Sequence, residues 1–197
     1  LRKLLKDLGK EENTIIFFCS DNGPDDGLFR KGVASAGKLR GHKHQMYEGG
    51  IHVPSLMVWK GKLKEGSVCP ERVGTVDYLP TILDLLDLPA INDRPIDGVS
   101  MVPVLAGKPA SKRTYPLAAG FMRLYDDLET YSLIEGDYKI CIPVKRGKLE
   151  MYNLKKDPYE TTDISTKEPE IFNDLKEKLE AVKKSWLHSR DGGDYEW

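Results

Sequence analysis

A continuous run of apolar and β-branched residues, 14–19 (Thr-Ile-Ile-Phe-Phe-Cys), leads directly into the polar turn 20–23 (Ser-Asp-Asn-Gly). An apolar run without alternation predicts a strand buried on both faces, as in a parallel sheet covered by helices. Open α/β sheets bind their ligands just beyond the carboxyl ends of such strands. The run therefore predicts an α/β fold with a functional site at residues 20–23.

Two later segments have helical periodicity. Residues 74–88 place apolar side chains along one stripe, with Asp77 as a cap and Pro80 in the first turn, where its missing N–H costs little. Residues 169–188 repeat the pattern. The stripe of this last segment is formed by five side chains, Ile171, Leu175, Leu179, Val182 and Trp186.

The region before the last helix has the signature of antiparallel strands. Residues 131–135 and 138–142 flank the two-residue turn Gly136-Asp137, which predicts a hairpin, and residues 149–154 offer a third strand. Glycine and proline accumulate between residues 89 and 112. We therefore expect two domains: residues 1–110, from an α/β domain, and residues 111–197, a small antiparallel sheet with the last helix.

Charge and hydropathy exclude some functions. The 197 residues carry 30 Lys and Arg against 31 Asp and Glu, a formal net charge of -1, so no strong field is available to bind nucleic acid. No apolar stretch reaches the ~18 residues of a membrane span. Because the sequence starts without Met inside an amphipathic pattern, at Leu1, Leu4, Leu5 and Leu8, we expect a part of a longer protein.

Asp21 and Asn22 are the first candidate site residues. A carboxylate beside a carboxamide at the end of a strand offers two hard oxygen ligands to Ca²⁺ or Mg²⁺. Asp-Asn-Gly is also ordinary turn chemistry, so the tripeptide alone leaves both interpretations open. Because Ca²⁺ takes about six to eight oxygens, a calcium site would need further ligands from elsewhere.

Lys43 is the second candidate. It lies in the glycine-rich segment 39–50, between His42 and His44, where glycines allow the backbone to approach a ligand closely. A lysine in this place can bind an oxyanion as a point charge, or it can be a solvated side chain of a loop. The two histidines lack the third and fourth ligands of a zinc site.

Taken together, these segments resemble the sulfatase family of the alkaline-phosphatase-like superfamily. The motifs occur in one order along the chain: S-D-N-G (20–23), L-R-G-H-K-H-Q-M-Y-E-G-G-I-H-V-P (39–54), W-K-G (59–61), V-G-T-V-D-Y-L-P-T-I-L (73–83), I-D-G-V (96–99), G-D-Y-K (136–139), L-E-M-Y-N-L (149–154) and D-P-Y-E (157–160). The resemblance implies the C-terminal part of a sulfatase fold, ending in a small antiparallel sheet and a helix.

The resemblance also implies roles for the candidates. In sulfatases the acidic and amide residues of S-D-N-G bind Ca²⁺, and they match Asp21 and Asn22. The family's lysine that contacts the sulfate ester falls on Lys43, which is thereby implied to be catalytic. His44 stands where the family commonly has a small residue, so we expect it to contact the substrate, while Glu48 and the glycines after it are expected to be structural.

The nucleophile of sulfatases is a formylglycine made within C-x-[PA]-x-R, and this sequence has no such motif. We therefore expect a parent enzyme that hydrolyses aryl or carbohydrate sulfate esters at a Ca²⁺–formylglycine centre, with the 197 residues alone inactive. The alternatives are a phosphate or phosphonate ester hydrolase of the same superfamily, or a non-catalytic binding module of this fold.

Further expectations concern partners and compartment. We expect a sulfated small molecule or glycan as the partner. Self-association is expected through apolar surface and a sheet edge that a longer chain would cover. Family membership would imply a periplasmic, secreted or lysosomal protein.

Overall fold

The computed structural model describes residues 1–121, 130–145 and 147–194. Two compact units form: residues 1–20 with 54–115, and residues 21–53 with 116–197. The chain crosses between the two units three times, after Ser20, after Val53 and after Tyr115. The predicted domains, 1–110 and 111–197, stay a prediction.

The described residues form short elements and one long helix. The helices are α1 (Arg2–Asp7), α2 (Asp26–Arg30), α3 (Glu48–Ile51), α4 (Tyr78–Leu85), α5 (Val102–Leu105) and α6 (Pro169–Arg190). The strands are β1 (Ile15–Cys19), β2 (Ser55–Trp59), β3 (Leu117–Phe121), β4 (Thr130–Glu135), β5 (Tyr138–Ile142) and β6 (Glu150–Asn153). Short 3₁₀ turns cover Glu11–Asn13 and Thr75–Asp77.

Strands β1 and β2 form the sheet of the first unit. They pair antiparallel, with Ile15 opposite Trp59 and Cys19 opposite Ser55. The predicted β1 strand is confirmed, but its expected burial in a parallel sheet is wrong, because its described partner is antiparallel and Phe18 is 62% exposed. An apolar run reveals which side chains favour burial, but it carries no information on the direction of the neighbouring strand.

Helix α4 is anchored by Asp77, which is fully buried. Its carboxylate accepts the N–H groups of Gly74 (2.8 Å) and Val99 (2.9 Å), and Arg113 donates to both oxygens at 2.8 and 2.6 Å. Asp77 occupies the N-cap position as predicted, but its side chain makes no capping bond to α4 and instead ties the preceding 3₁₀ turn to Val99. Three members of the predicted apolar stripe of Leu79, Ile82, Leu83 and Leu86 are exposed, and only Leu83 is half-buried.

Replacing Asp77 by asparagine is expected to lower the free energy of unfolding by about 2 kcal/mol, because the Arg113 pair is lost while the guanidinium can still reach solvent. The pKa of Asp77 is pushed upward by burial, but the hydrogen bonds from Arg113, Gly74 and Val99 outweigh burial and hold it below its ordinary value. The stability that its carboxylate provides is therefore present above about pH 4 and is lost on further acidification.

Urea unfolding of the wild type and the variant between pH 3 and pH 7 checks this expectation. The difference between the two should shrink toward pH 3. Asp93→Asn is the matched control, because Asp93 is also held by two bonds from one arginine, Arg94, but on the surface. Asp93→Asn should leave the free energy of unfolding unchanged within the error of the measurement. If both substitutions lowered the free energy of unfolding equally, burial of the Asp77 pair would not be the reason for its contribution to stability.

The second unit is built on a four-stranded antiparallel sheet of order β3-β4-β5-β6. The predicted hairpin is confirmed: β4 and β5 pair from Tyr131 opposite Ile142 to Glu135 opposite Tyr138, and Gly136 in the turn has a φ of 58°. The third predicted strand corresponds to β6. Strand β3 was not predicted.

Helix α6 covers one face of this sheet. Its Leu175 and Leu179 are buried against Leu133, Ile140 and Met151, and Trp186 packs at the side of the same cluster. The predicted helix and its apolar stripe are thus confirmed. None of the described helices combines the length and the hydropathy that crossing a bilayer requires.

Candidate functional site

Two backbone segments of the second unit lie directly against each other. The N–H of Gly23 donates to the carbonyl of Gly50 at 2.8 Å, and the N–H of Lys43 donates to the carbonyl of Pro24 at 2.9 Å. These bonds join segment 21–24, which contains Asp21 and Asn22, to segment 40–50, which contains Lys43 and His44. The structure therefore brings the four predicted site residues onto adjacent stretches of backbone.

Glycines allow this close approach. A Cβ atom at Gly23 would lie 1.9 Å from the carbonyl oxygen of Gly49, and one at Gly50 would lie 2.0 Å from that of Gln45. At Gly49 the added carbon would lie 2.4 Å from the carbonyl oxygen of Gly41. No side chain fits these places, so the motif glycines are required by backbone packing.

Asp21 is exposed and Asn22 is half-buried. Within the described residues, no hydrogen bond or ion pair holds the carboxylate of Asp21, so its oxygens are open to an external ligand. In the described part of the chain no three His, Cys, Asp or Glu side chains cluster as a metal site would need. Asp21 and Asn22 can supply part of the oxygen ligands of a calcium ion, but a complete shell needs more ligands than these two residues provide.

Lys43 is half-buried, and its ammonium group has no ion-pair partner among the described residues. The neighbouring His42 fixes the segment locally: its Nε2 lies 3.2 Å from Asp26 Oδ1, and its Nδ1 lies 3.1 Å from the carbonyl oxygen of Lys43. The His42 ring also packs against Phe29, with centroids 5.5 Å apart. Helix α2, which carries both Asp26 and Phe29, therefore holds the backbone at Lys43.

His44 has a left-handed backbone, with a φ of 72°. This conformation is uncommon for a residue with a side chain and is enriched at functional sites. The exposed imidazole packs against the ring of Phe121, with centroids 4.9 Å apart. The structure thus presents the His44 ring at the surface, next to an aromatic side chain.

A buried ion cluster lies beside segment 40–50. Lys139 is fully buried on β5, and its Nζ lies 2.8 Å from Glu48 Oε1 and 2.8 Å from Glu160 Oε1. The second oxygen of Glu160 accepts the backbone N–H of Glu48 at 2.6 Å. Glu48 also faces His52, with 3.0 Å between its Oε2 and the imidazole Nδ1.

The charges of this cluster stabilise one another. Burial alone would raise the pKa of Glu48, but the bonds from His52 and Lys139 outweigh it and lower the pKa to about 2. Burial likewise opposes the charge of Lys139, yet the two carboxylates raise its pKa above the ordinary value. For Glu160, burial dominates and raises the pKa. This cluster can remain inside the protein because its ammonium group lies between two carboxylates, so that no charge is buried without a partner.

A second polar network adjoins the ion cluster. The Arg40 guanidinium lies 3.9 Å from the centroid of the Tyr47 ring and donates to the Tyr152 hydroxyl (3.0 Å) and the Glu160 carbonyl (2.8 Å). The hydroxyls of Tyr47 and Tyr152 both donate to Glu150. Burial and the adjacent Glu150 carboxylate raise the pKa of both tyrosines, so both remain neutral donors.

Comparison with known proteins finds similarity to sulfatases. The Sulfatase family model matches residues 1–88. An Escherichia coli (strain K12) protein described as uncharacterized sulfatase YdeN is 40% identical over 104 residues, which cover 53% of this chain and 18% of the relative. The N-acetylgalactosamine-6-O-sulfatase of Bacteroides thetaiotaomicron is 28% identical over 201 residues, covering 91% of this chain and 38% of the relative. Over the matched residues, the chain is similar to sulfatases.

The solved structures agree with the predicted fold. The PsFucS1 sulfatase from Pseudoalteromonas sp. matches with a TM-score of 0.70 at 22% identity, over 95% of this chain and 40% of that one. This likeness supports the predicted α/β fold with its antiparallel sheet and C-terminal helix. The chain spans less than half the length of each of these relatives.

The ion cluster joins three segments that are far apart in the sequence. Glu48 comes from L-R-G-H-K-H-Q-M-Y-E-G-G, Lys139 from G-D-Y-K and Glu160 from D-P-Y-E. Sequence reasoning assigned Glu48 a structural role but did not predict its partners. One signal was present: Lys139 is the second residue of the otherwise apolar strand β5, where a charged side chain needs a buried partner.

Proposed function

We propose that this chain forms part of a sulfatase that hydrolyses aryl or carbohydrate sulfate esters at a Ca²⁺–formylglycine centre. The observation that carries the proposal is the backbone pairing of segments 21–24 and 40–50, through Gly23 with Gly50 and Lys43 with Pro24. This pairing joins two hard oxygen donors to a lysine, which is the combination that a divalent cation and an anionic ester require together.

In this proposal Asp21 and Asn22 supply part of the calcium shell. The bound ion would offset the negative charge of the ester and hold it in place. The exposed Asp21 carboxylate, open among the described residues, suits a ligand that is shared with residues outside this sequence. The formylglycine would also come from outside the 197 residues, because they contain no C-x-[PA]-x-R motif.

Lys43 and His44 act on the substrate side. Charge builds up on the ester oxygen during S–O cleavage, and a fixed ammonium from Lys43 stabilises that charge. The His44 ring, next to Phe121, offers a flat face and a hydrogen-bonding edge to the group that carries the sulfate. The likeness to an N-acetylgalactosamine-6-O-sulfatase over 91% of the chain favours a carbohydrate among the possible carriers.

The 197 residues alone are expected to show no turnover, because they lack the nucleophile and supply only part of the metal shell. The isolated chain is also expected to self-associate, because apolar side chains of the first unit, among them Leu4, Phe18, Leu56 and Leu86, are exposed. A sulfated small molecule or glycan is the proposed partner.

The test compares the full-length protein with the isolated 197-residue chain. Release of 4-nitrophenol from its sulfate and from its phosphate is followed with added Ca²⁺ and with chelator, and 6-O-sulfated N-acetylgalactosamine is assayed for free sulfate. We expect Ca²⁺-dependent sulfate release by the full-length protein only. In that protein Asp21→Asn should raise the Ca²⁺ concentration for half-maximal rate at least tenfold, because a charged ligand is lost.

Asp7→Asn is the matched control, since Asp7 is also exposed but lies on α1. It should leave the Ca²⁺ requirement unchanged. Preferred cleavage of the phosphate ester would favour the phosphate hydrolase. Absence of turnover on every ester, with a folded full-length protein, would favour a binding module. Saturable, Ca²⁺-dependent sulfate release by the isolated chain would overturn the need for residues outside it.

A further inference from the structure

Glu160 holds the two ends of the segment that contains Lys43 and His44. Its carboxylate accepts the N–H of Glu48 at 2.6 Å, and its own carbonyl accepts a bond from Arg40 at 2.8 Å. Residues 40 and 48 also lie beside each other, because the N–H of Gly49 donates to the Arg40 carbonyl at 2.6 Å. The segment is therefore a closed loop whose base is bound to one glutamate.

The conformation of Glu160 fits this function. Its φ of 56° places a residue with a side chain in the left-handed region, which persists only where the surroundings enforce it. The surroundings here are specific: Oε2 accepts the Glu48 N–H, and the carbonyl accepts a bond from Arg40. Oε1 forms an ion pair with Lys139 at 2.8 Å, without the geometry of a hydrogen bond, and the side chain is fully buried.

Lys139 connects this arrangement to the rigid part of the second unit. It belongs to β5, which pairs with β4 and β6 on either side, and its ammonium group bridges Glu48 and Glu160. A further backbone bond, from the Met46 N–H to the Pro143 carbonyl at 2.9 Å, ties the loop to the residue that follows β5. The loop is thereby fixed directly at Glu48, to β5, and at Met46, to the residue after β5, and indirectly through Glu160.

We propose that Glu160, supported by Lys139, is a positioning residue that fixes the loop 40–48 and so sets the place of Lys43 and His44. The inference rests on the proposed function in so far as Lys43 acts on a sulfate ester. It assigns the D-P-Y-E motif, which is more than 110 residues from the loop in sequence, an effect on turnover that acts through Lys43.

The test uses Glu160→Gln in the full-length protein. The amide retains the size of the side chain and one acceptor, but it cannot serve both Lys139 and the Glu48 N–H as the carboxylate does. We expect kcat per folded molecule to fall about tenfold. Hydrogen exchange of residues 40–50 should become at least tenfold faster relative to residues 130–142, which report on the sheet itself.

Leu175→Ala is the matched control for stability. Leu175 is buried between α6 and the sheet, so its truncation also destabilises the second unit but leaves the loop's bonds in place. It should lower the unfolding midpoint, with kcat per folded molecule and the exchange ratio both unchanged. If Glu160→Gln does not fold, Glu160→Asp, which keeps the charge but draws it back by one methylene, replaces it with the same expectations.

A double-substitution test separates positioning from a general loss of structure. If Glu160 acts through Lys43, Glu160→Gln should cost less than about twofold in a Lys43→Arg background, where the lysine is already replaced. A full tenfold loss in that background would overturn the proposal. So would a wild-type kcat in the folded Glu160→Gln variant, or a lowered kcat with an unchanged exchange ratio.

A different set of results is expected if the proposed function itself is wrong. In that case Lys43→Ala would retain full activity, whereas the exchange ratio would still report whether Glu160 fixes the loop. A faster exchange of residues 40–50 in Glu160→Gln would then support the structural part of the inference, and an unchanged ratio would overturn it.

Discussion

Lys43→Ala is expected to lower kcat/KM for sulfate esters by about 100- to 1,000-fold in the full-length protein, which is the loss seen when one preorganised charge-stabilising group is removed from an active site. The prediction follows from the half-buried position of Lys43 and from its backbone bond to Pro24, beside Asp21 and Asn22. Because the side chain has no ion pair among the described residues, its removal should not lower stability.

Steady-state kinetics on an aryl sulfate, together with thermal unfolding, would measure both effects. Lys38→Ala is the matched control: Lys38 is an exposed lysine just before segment 40–50, and its removal should leave kcat/KM unchanged. A loss of less than about threefold for Lys43→Ala, or an equal loss for both variants, would contradict a role of Lys43 in stabilising the reacting ester.

Lys139→Met is expected to produce the largest loss of stability, about 3–5 kcal/mol in the free energy of unfolding, because it leaves Glu48 and Glu160 buried without their shared cation. Methionine preserves much of the volume, so the loss of charge is the main change. Denaturant unfolding of the second unit, followed by circular dichroism, would measure it. Lys155→Met is the control, since Lys155 is largely exposed and lies 3.5 Å from Asp137.

The two substitutions should also differ in pH dependence. In the wild type the pKa of Lys139 is raised, so its contribution is present below its unfolded pKa and is lost as the pH rises through the folded value. The pKa of Glu48 is lowered to about 2, so its contribution is lost as the pH falls toward 2. A Lys139→Met protein as stable as Lys155→Met at neutral pH would contradict the buried cluster.

The parts of the fold that could be predicted from the sequence are those determined by local patterns. Helix α6 repeats its apolar residues at helical spacing, and the Gly136-Asp137 turn requires a hairpin whatever surrounds it. Strand β3 (Leu-Ala-Ala-Gly-Phe) was missed because its small residues show no alternation. The antiparallel direction of β1 and β2 depends on pairing across about 40 residues, which no local pattern determines.

In the candidate site, too, some residues could be predicted from local motifs and others only from the folded structure. Asp21, Asn22 and Lys43 could be named from their motifs, and the structure explains their proximity by two backbone bonds. Glu160 could not be named, because a glutamate in a polar segment usually indicates a solvated side chain. Its burial depends on a lysine on another strand and on an amide 112 residues away. Such interactions exist only after the chain has folded.

The backbone contacts among Gly23, Gly41, Gly49 and Gly50 have a consequence for changing the substrate range of this protein. Each contact leaves less room than a methyl group needs, so a library that varies these glycines would contain mostly misfolded members. His44 differs, since its side chain is exposed and packs at the surface against Phe121. Diversity at this position, limited to residues such as Asn and Asp that tolerate a left-handed backbone, and with His42, Lys43 and the glycines kept, should alter recognition while the loop keeps its shape.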